Sequence, residues 1–502
     1  MKNVFMNRRT FVGISAVGLL SARNACAQNT NPTRKPNFVF LLSDDQDWTG
    51  TSAQMHPEIA NSKSDFYRTP NLEVLASEGM RFSSAYAPAP VCSPTRVSIQ
   101  TGKSPAQLHW CKAAPVMTAA DGYKLVPPSS AKNIPIKEVT IAEMLKSAGY
   151  TTAHFGKWHL GGDGPGAHGY DVHDGNTSNK DAAPFTDPNP VDIFGMSKRA
   201  NCFMEESVKG GRPFYVQLSY HALHYPENSL KSTQEAYRQR MPGKMHKDVE
   251  RAAMTENLDT SVGLLMKQVE ALGIADTTYV IYMSDNGAGG RSPLRPLRGG
   301  KGSLWEGGIR VPLIIRGPGV KANAFCDVPV VGYDLFPTLC ALGGVDTPLP
   351  DSVEGGNIAP LFAEGKGTVK RPNEALVFHF PHYQSGDGPH SSIRLGDFKL
   401  ILFYETGELR LFSLANDVGE QHNLAKEMPD KVTDLHERLQ QYLKAINAGL
   451  PVPNTDYDPV KAQTSARNPR PGHGKGHRAR APRRRARESG QAARYEQDDV
   501  TR

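Results

Sequence analysis

Six short clusters in this 502-residue chain combine residue types that can hold a cation and handle an anion. Asp44-Asp45 and Asp285-Asn286 together offer three carboxylates and an amide oxygen. Carboxylates brought close repel one another unless a cation neutralises them. A donor set made only of oxygen favours calcium, then magnesium, over zinc. Alone, Asp44-Asp45 could equally cap a turn; the second acidic cluster is what favours the metal. Cys92-Ser93-Pro94-Thr95-Arg96 places a cysteine at the start of a helix expected over residues 93–101, where backbone N–H groups and the helix dipole favour an anion. Such a cysteine reads as an activated thiolate or as a small buried hydrophobe. A thiolate beside three carboxylates is electrostatically odd, and no Cys–His protease pattern surrounds this one. Lys157 with His159, His221 with His224, and Lys301 supply basic groups. Singly, such a lysine is usually solvated and such a histidine usually packs. The glycines flanking both lysines point instead to tight loops.

These residues need elements that stop just before them. Residues 37–43, Asn-Phe-Val-Phe-Leu-Leu-Ser, form the continuous apolar run of a strand buried on both faces. Residues 151–155, 214–220, 279–284 and 311–316 read as further strands. Helices are expected over 70–77, with Thr69 as N-cap and Gly79 as stop, over 140–148, closed by Gly149, and over 247–272. Strands alternating with helices imply a doubly wound α/β sheet. Asp44-Asp45 follow the first strand, Lys157 and His159 the second, His221 the third and Asp285-Asn286 the fourth. Open parallel sheets bind ligands beyond the carboxyl ends of their strands, so four loaded ends should converge on one site.

Beyond residue 370 short strands at 375–380, 392–395, 398–404 and 408–414 alternate with tight turns, and a helix is expected over 429–446. The organisation expected is a signal segment at 1–27, a catalytic domain at 33–370, a smaller antiparallel-sheet subdomain at 371–450 and a basic, disordered tail at 451–502.

The formal charge of +7 belongs to the tail. From Lys461 onward twelve Lys or Arg stand against four Asp or Glu, a net of +8, which leaves 7 − 8 = −1 for the remainder. A nearly neutral body removes the main support for nucleic acid as a partner. The tail's arginines, Arg478, Arg480 and Arg483-Arg484-Arg485 among them, read first as a solvated end. Of six cysteines none forms a CxxC pair, which argues against a zinc knuckle; one or two disulfides are compatible with export. Arg8-Arg9, Phe11, the apolar run 12–20 and Ala25-Cys26-Ala27 have the layout of a twin-arginine-like export signal, too short for a transmembrane anchor. Export machinery and a periplasmic or extracellular location follow from that layout.

Cys92-x-Pro94-x-Arg96 matches the motif of the type I, formylglycine-dependent sulfatases of the alkaline phosphatase superfamily. Asn37 to Asp45, Gly156-Lys157-Trp158-His159-Leu160-Gly161, the segment 219–224, Ser284-Asp285-Asn286-Gly287 and the stretch 297–312 with Trp305-Glu306-Gly307-Gly308 resemble further family segments in the expected order. Leu411 to Leu424 resembles the family's C-terminal sheet. The resemblance spans roughly residues 36–445, and bacterial arylsulfatases and N-acetylgalactosamine sulfatases are the similar branches.

The resemblance implies an alkaline-phosphatase-like fold: a large, mainly parallel mixed sheet flanked by helices, with a smaller antiparallel sheet behind it. It also implies a sulfuric ester hydrolase with formylglycine made from Cys92 by a sulfatase-maturating enzyme. Calcium would be held by Asp44, Asp45, Asp285, Asn286 and residue 92. Hydrated formylglycine attacks sulfur, and the sulfated residue then eliminates sulfate. Lys157, Lys301 and His221 would hold the sulfate. His159 would serve as base in the elimination, and His221 or Lys301 would protonate or stabilise the leaving alcohol. Arg96 would orient residue 92, and His224 would touch the substrate. The substrate implied is a sulfated saccharide, galactose or N-acetylgalactosamine sulfate being plausible, with the segments 168–189 and around His379, His382 and His390 lining its pocket. Phosphoester or phosphonate hydrolysis within the same superfamily is the alternative. A non-catalytic binder of anionic glycans fits worse, because every catalytic side chain is present.

Overall fold

The computed structural model of the chain describes residues 35–113, 122–182, 187–289 and 295–462. The export segment, Cys26 and residues 463–502 of the basic tail lie outside the described residues. Twelve strands and seven helices matter for the site. They are β1 (Asn37–Ser43), α1 (Pro70–Glu78), β2 (Met80–Phe82), α2 (Cys92–Thr101), α3 (Ile141–Ser147), β3 (Thr151–Gly156), β4 (Val172–His173), α4 (Ile193–Lys209), β5 (Phe214–Ser219), α5 (Val249–Ala271), β6 (Thr278–Ser284), β7 (Leu313–Arg316), β8 (Ala324–Cys326), α6 (Leu335–Leu342), β9 (Leu376–Phe380), β10 (His390–Leu395), β11 (Phe398–Phe403), β12 (Glu408–Ser413) and α7 (Pro429–Ala445).

The main sheet runs β8-β2-β7-β6-β1-β5-β3-β4. β1 lies at its centre, parallel to β5 and β6, and β5 is parallel to β3. β7 is antiparallel to β6 and to β2, so the sheet is mixed but mainly parallel. This is the architecture expected from the sequence. Every residue of β1 is buried, because helices cover both faces. Phe38, Phe40 and Leu42 pack with Val97 of α2, Ile141 and Leu145 of α3 and Leu339 of α6. Val39 and Leu41 face the other way, toward Leu72 and Leu75 of α1, Met196 of α4 and Leu258 of α5. The continuous apolar run at 37–43 is thus the signature of a strand with two cores to fill.

Register then sets the site. Gly156 is opposite Ser219, Leu42 is opposite both Ser219 and Met283, and Ser43 is opposite Ser284. Four adjacent parallel strands therefore end level, and the polar residues after each emerge along one edge.

Two features differ from the sequence expectation. Thr69 does not cap α1: its hydroxyl accepts from Ser52 N at 2.8 Å, and the Asp259 carboxylate of α5 accepts from Asn71 N and Leu72 N instead. A tertiary carboxylate at a helix N-terminus satisfies the same orphan donors as a local cap. Residues 451–462, expected in the disordered tail, pack on the body: Val452 pairs antiparallel with Val126 and Asn454 N donates to Lys124 O at 2.9 Å. By contrast, Thr140 caps α3 through a complete capping box with Glu143.

The small sheet β9-β10-β11-β12 is antiparallel throughout. Leu435, Leu439 and Leu443, one stripe of α7, cover Ile393, Leu400 and Leu411. A buried ionic chain ties this sheet to the main body: Lys399 of β11 bridges Glu306 at 2.8 Å and Glu420 at 2.9 Å, and Arg310 reaches Glu306 at 3.3 Å. The five described cysteines, Cys92, Cys111, Cys202, Cys326 and Cys340, are all free, so none of the disulfides compatible with export forms among them.

Buried histidines make the fold acid-sensitive. Burial pushes His154 and His382 down to about 3 and His379 down to about 4, from an ordinary value of 6.5. Each stays neutral in the fold while the unfolded chain takes up a proton below about pH 6.5. Between pH 6.5 and about 4 the unfolded state thus binds more protons, and stability falls as pH falls. The melting temperature should drop steadily across that interval; a melting temperature flat from pH 7 to 4.5 would contradict these assignments.

Candidate functional site

The edge where β1, β3, β5 and β6 end carries a compact cluster. Asp44, Asp45 and Asp285 carboxylate oxygens and Cys92 Sγ lie within 4.8 Å of one another, all four residues buried. Backbone bonds hold the strand ends together: Asp285 N donates to Ser43 O at 3.0 Å, Asp44 N to Ala222 O at 2.8 Å and Lys157 N to Ser219 O at 2.7 Å. The last of these passes over Gly156, at φ 88°, where a Cβ would stand 2.2 Å from Ser219 O. Only glycine fits at that crossing.

Cys92 is the first residue of α2, preceded by extended Val91. Its thiol stands 3.4 Å from Asp44 Oδ1 and 3.8 Å from Asp45 Oδ1, and Lys301 Nζ stands 3.5 Å from the sulfur. Burial, followed by the charges of Asp285 and Asp44, pushes the thiol pKa far up. These surroundings favour the protonated form of an unmodified Cys92 over a thiolate.

The charges around it are paired. Arg96, one turn into α2, sends Nε and Nη2 to Asp285 Oδ2 at 2.9 and 2.7 Å and Nη1 to Lys157 O at 2.8 Å. Lys157 Nζ bonds Asp44 Oδ2, and Lys301 Nζ bonds Asp45 Oδ2 at 2.7 Å. Against burial, which alone would raise it, Lys157 and Arg96 hold Asp44 well below the ordinary carboxylate range. Burial and the Asp44 charge push Asp285 the other way. Three carboxylates thus face three side-chain cations, so an added divalent cation would leave surplus positive charge for an anion.

Asn286 carries the test of whether a cation fits. Its amide donates to Asp45 Oδ1 at 2.8 Å and to Gly287 O at 2.9 Å, yet its Oδ1 is buried without any partner. A buried acceptor left unpaired beside three carboxylates is a poor structural device and a good metal ligand. The all-oxygen donor set Asp44, Asp45, Asp285 and Asn286 fits a hard divalent cation.

The histidines separate by role. His159 and His221 each have a buried Nδ1 with no partner. Burial, then the charge of Lys157, pushes His159 down to about 2 and His221 to about 4, so both are neutral near pH 7. His224 is half-buried, with Nδ1 2.6 Å from Tyr225 O, and contributes to the field at Asp44. Two histidines named for the substrate pocket are packing groups. His379 is held by Ser391 Oγ at 2.6 Å and Gly449 O at 2.9 Å, and His390 accepts from Leu304 N at 2.8 Å. Of the segment 168–189, His168 is buried against Trp158, while Asn176, Thr177, Ser178 and Lys180 border a cleft of about 310 Å³. The same cleft is lined by Ser93, Trp110 and His159, so it opens beside residue 92.

Several contributors were not singled out in the sequence. Arg251 of α5 bonds the Asp45 and Leu223 carbonyls, fixing the loops after β1 and β5. Thr177 O accepts from His159 N at 2.8 Å, which holds His159 in a left-handed conformation at φ 56°. Trp110 and Lys112 stand in the loop after α2. No local pattern marks any of them, since their partners are distant in sequence.

Comparison with known proteins accords with this geometry. A family profile described as Sulfatase matches residues 36–345, and one described as N-sulphoglucosamine sulphohydrolase, C-terminal, matches residues 300–448. The chain is 29% identical to arylsulfatase A of Homo sapiens, over 85% of this chain and 90% of that protein. It is 28% identical to an ulvan-active sulfatase of Formosa agariphila, over 79% of this chain and 78% of that protein. A crystal structure of Ps i-CgsB in complex with k-i-k-neocarrahexaose shares the fold, with a TM-score of 0.68 at 22% identity, covering 87% of this chain and 98% of that one.

Proposed function

The chain belongs to the sulfatase family and is a sulfuric ester hydrolase, and from that premise we propose that it removes sulfate from a sulfated carbohydrate with a nucleophile made from Cys92. The observation that carries this reading is the meeting of Asp44, Asp45, Asp285 and Cys92 within 4.8 Å at the first turn of a helix, with Lys157 and Lys301 beside them. The relative named as an ulvan-active sulfatase and the neighbour in complex with a neocarrahexaose support a saccharide as substrate.

In this reading Asp44, Asp45, Asp285 and Asn286 hold calcium. Calcium and a formylglycine at position 92 supply a polarising charge and an acidic hydroxyl nucleophile where the encoded chain has a neutral thiol. The protein's own residues do the rest. Arg96 fixes Asp285 and the Lys157 backbone, and so holds a would-be ligand in place beside residue 92. Lys157 and Lys301 turn from their carboxylates to the sulfate oxygens, where they offset charge as the S–O bond breaks. Neutral His159 takes the proton that must leave residue 92 for sulfate to be released. His221 or Lys301 would protonate or stabilise the departing alcohol, and His224 would touch the substrate. A sulfatase-maturating enzyme and export machinery acting on residues 1–27 are the implied partners, with the periplasm or the exterior as destination. No described helix is long and apolar enough to cross a membrane.

Paired sulfate, phosphate and phosphonate esters of one phenol test the activity. The sulfate should be hydrolysed fastest, and a strong chelator should remove that activity and lower the melting temperature together, because the cation stabilises the form that binds it. Preferred phosphonate hydrolysis would favour the alternative activity, and full activity with excess chelator would contradict the calcium assignment.

A further inference from the structure

Lys112 is a buried cation that the reaction above does not use. It lies in the loop after α2 and is 6% exposed, with its backbone N–H donating to Ser130 Oγ at 3.2 Å. Its ammonium has three N–H donors. One side-chain acceptor meets it, Gln384 Oε1, and the Phe380 ring centre lies 5.2 Å away. Burial, and after it the charge of Lys301, push its pKa down to about 8, with no carboxylate acting on it. A desolvated cation with a neutral partner and a second cation nearby is costly unless an anion joins it.

A neighbouring polar side chain on the arm after β9 has no partner. His382, 2% exposed, has neither ring nitrogen hydrogen-bonded and stands edge-on to Phe380 at 5.7 Å. Gln384 is exposed and rests on Gly302, where an added Cβ would come within 2.7 Å of its Cγ. Gly302 follows Lys301, whose ammonium is 3.5 Å from Cys92 Sγ. The arm after β9 therefore brings Gln384 to Lys112 and, over Gly302, next to Lys301, with His382 on the same arm; none of the three belongs to the carboxylate cluster.

We propose that Lys112, with Gln384 and His382, forms a second anion site that takes a carboxylate or an additional sulfate of the saccharide substrate, apart from the sulfate being cleaved. The site rests on the sulfatase reading and narrows it to a substrate carrying at least two negative charges. Lys112 donates to the oxygens of the second anion, the Gln384 amide follows it, and His382 meets a neighbouring hydroxyl.

The test uses the calcium-loaded enzyme with residue 92 converted, and three disaccharides with the same scissile sulfate. One has a neutral neighbouring sugar, one a uronic acid and one a second sulfate. Because charge-assisted hydrogen bonds in buried sites are strong, kcat/KM for at least one dianionic substrate should exceed that for the neutral one by about tenfold or more, carried by KM. The preferred arm identifies the anion. Lys112→Gln should collapse that preference and Lys112→Arg should keep most of it. Equal kcat/KM on all three substrates in the wild-type enzyme would overturn the proposal without any variant. So would a preference undiminished in Lys112→Gln, or one undiminished in Gln384→Ala should Lys112→Gln fail to fold. A fall of the same size on all three substrates would assign Lys112 to the cleaved sulfate and equally overturn it. No hydrolysis of any of the three, nor of an aryl sulfate, would defeat the sulfatase reading itself.

Discussion

Replacing Cys92 by alanine is expected to lower turnover on the order of 10⁴-fold or more, as removal of a covalent nucleophile does. The chain should still fold. Cys92 is buried at the first position of α2, its backbone is ordinary for a helix start, and alanine is a good helix former. Losing one sulfur atom costs on the order of 1 kcal/mol. Cys92→Ala should therefore melt within a few degrees of the parent while hydrolysing no sulfate ester at a measurable rate. Cys92→Ser separates the two roles of the residue further, because a single hydroxyl can attack sulfur but cannot expel sulfate by returning to an aldehyde. A burst of product followed by arrest is expected from it. Near-parental steady turnover in Cys92→Ala would remove residue 92 from the chemistry.

Arg96→Ala should produce the largest loss of stability at the site. The guanidinium reaches Asp285 through two N–H groups and the Lys157 carbonyl through a third, with 2% of the side chain exposed and Asp285 fully buried. Removing one partner of a buried pair strands the other, at a cost of about 3–5 kcal/mol. Denaturant unfolding should show a lower midpoint with an unchanged slope. Calcium should recover part of the loss, because the stranded carboxylate is one of its ligands, and chelation should make the loss larger. Arg96→Lys keeps the charge but not the fork, and should fall between the two. A stability change below about 1 kcal/mol, or one indifferent to calcium, would mean that Asp285 is not held as described.

Much of this site is legible in the sequence for one reason. A strand buried on both faces is apolar along its whole length, so the charged residues that end it stand out. Asp44-Asp45, Lys157, His221 and Asp285 are each the first or second polar group after such a run, and the sheet places the four runs side by side in the order β6-β1-β5-β3. The small C-terminal sheet was legible through its turns, and the stripe Leu435, Leu439 and Leu443 through its spacing.

What escaped depended on distant partners. Asp259 caps α1 from 188 residues away, so Thr69 at the expected cap position misled. Lys112 meets Gln384 across 272 residues, and neither lies in a recognisable pattern. α4 was not anticipated, although 17 residues long, because it follows a proline-rich stretch and mixes polar residues into its buried face. His379 and His390 looked like pocket residues only because a histidine's partners cannot be read locally; both are spent on backbone and hydroxyl groups.

Mass spectrometry of the peptide containing residue 92, from protein produced with a sulfatase-maturating enzyme, tests the central claim most directly. A peptide lighter than the encoded sequence, reactive toward aldehyde-specific reagents, is expected, with the converted fraction proportional to sulfatase activity across preparations. Full sulfatase activity in protein whose residue 92 is entirely an unmodified thiol would contradict the account.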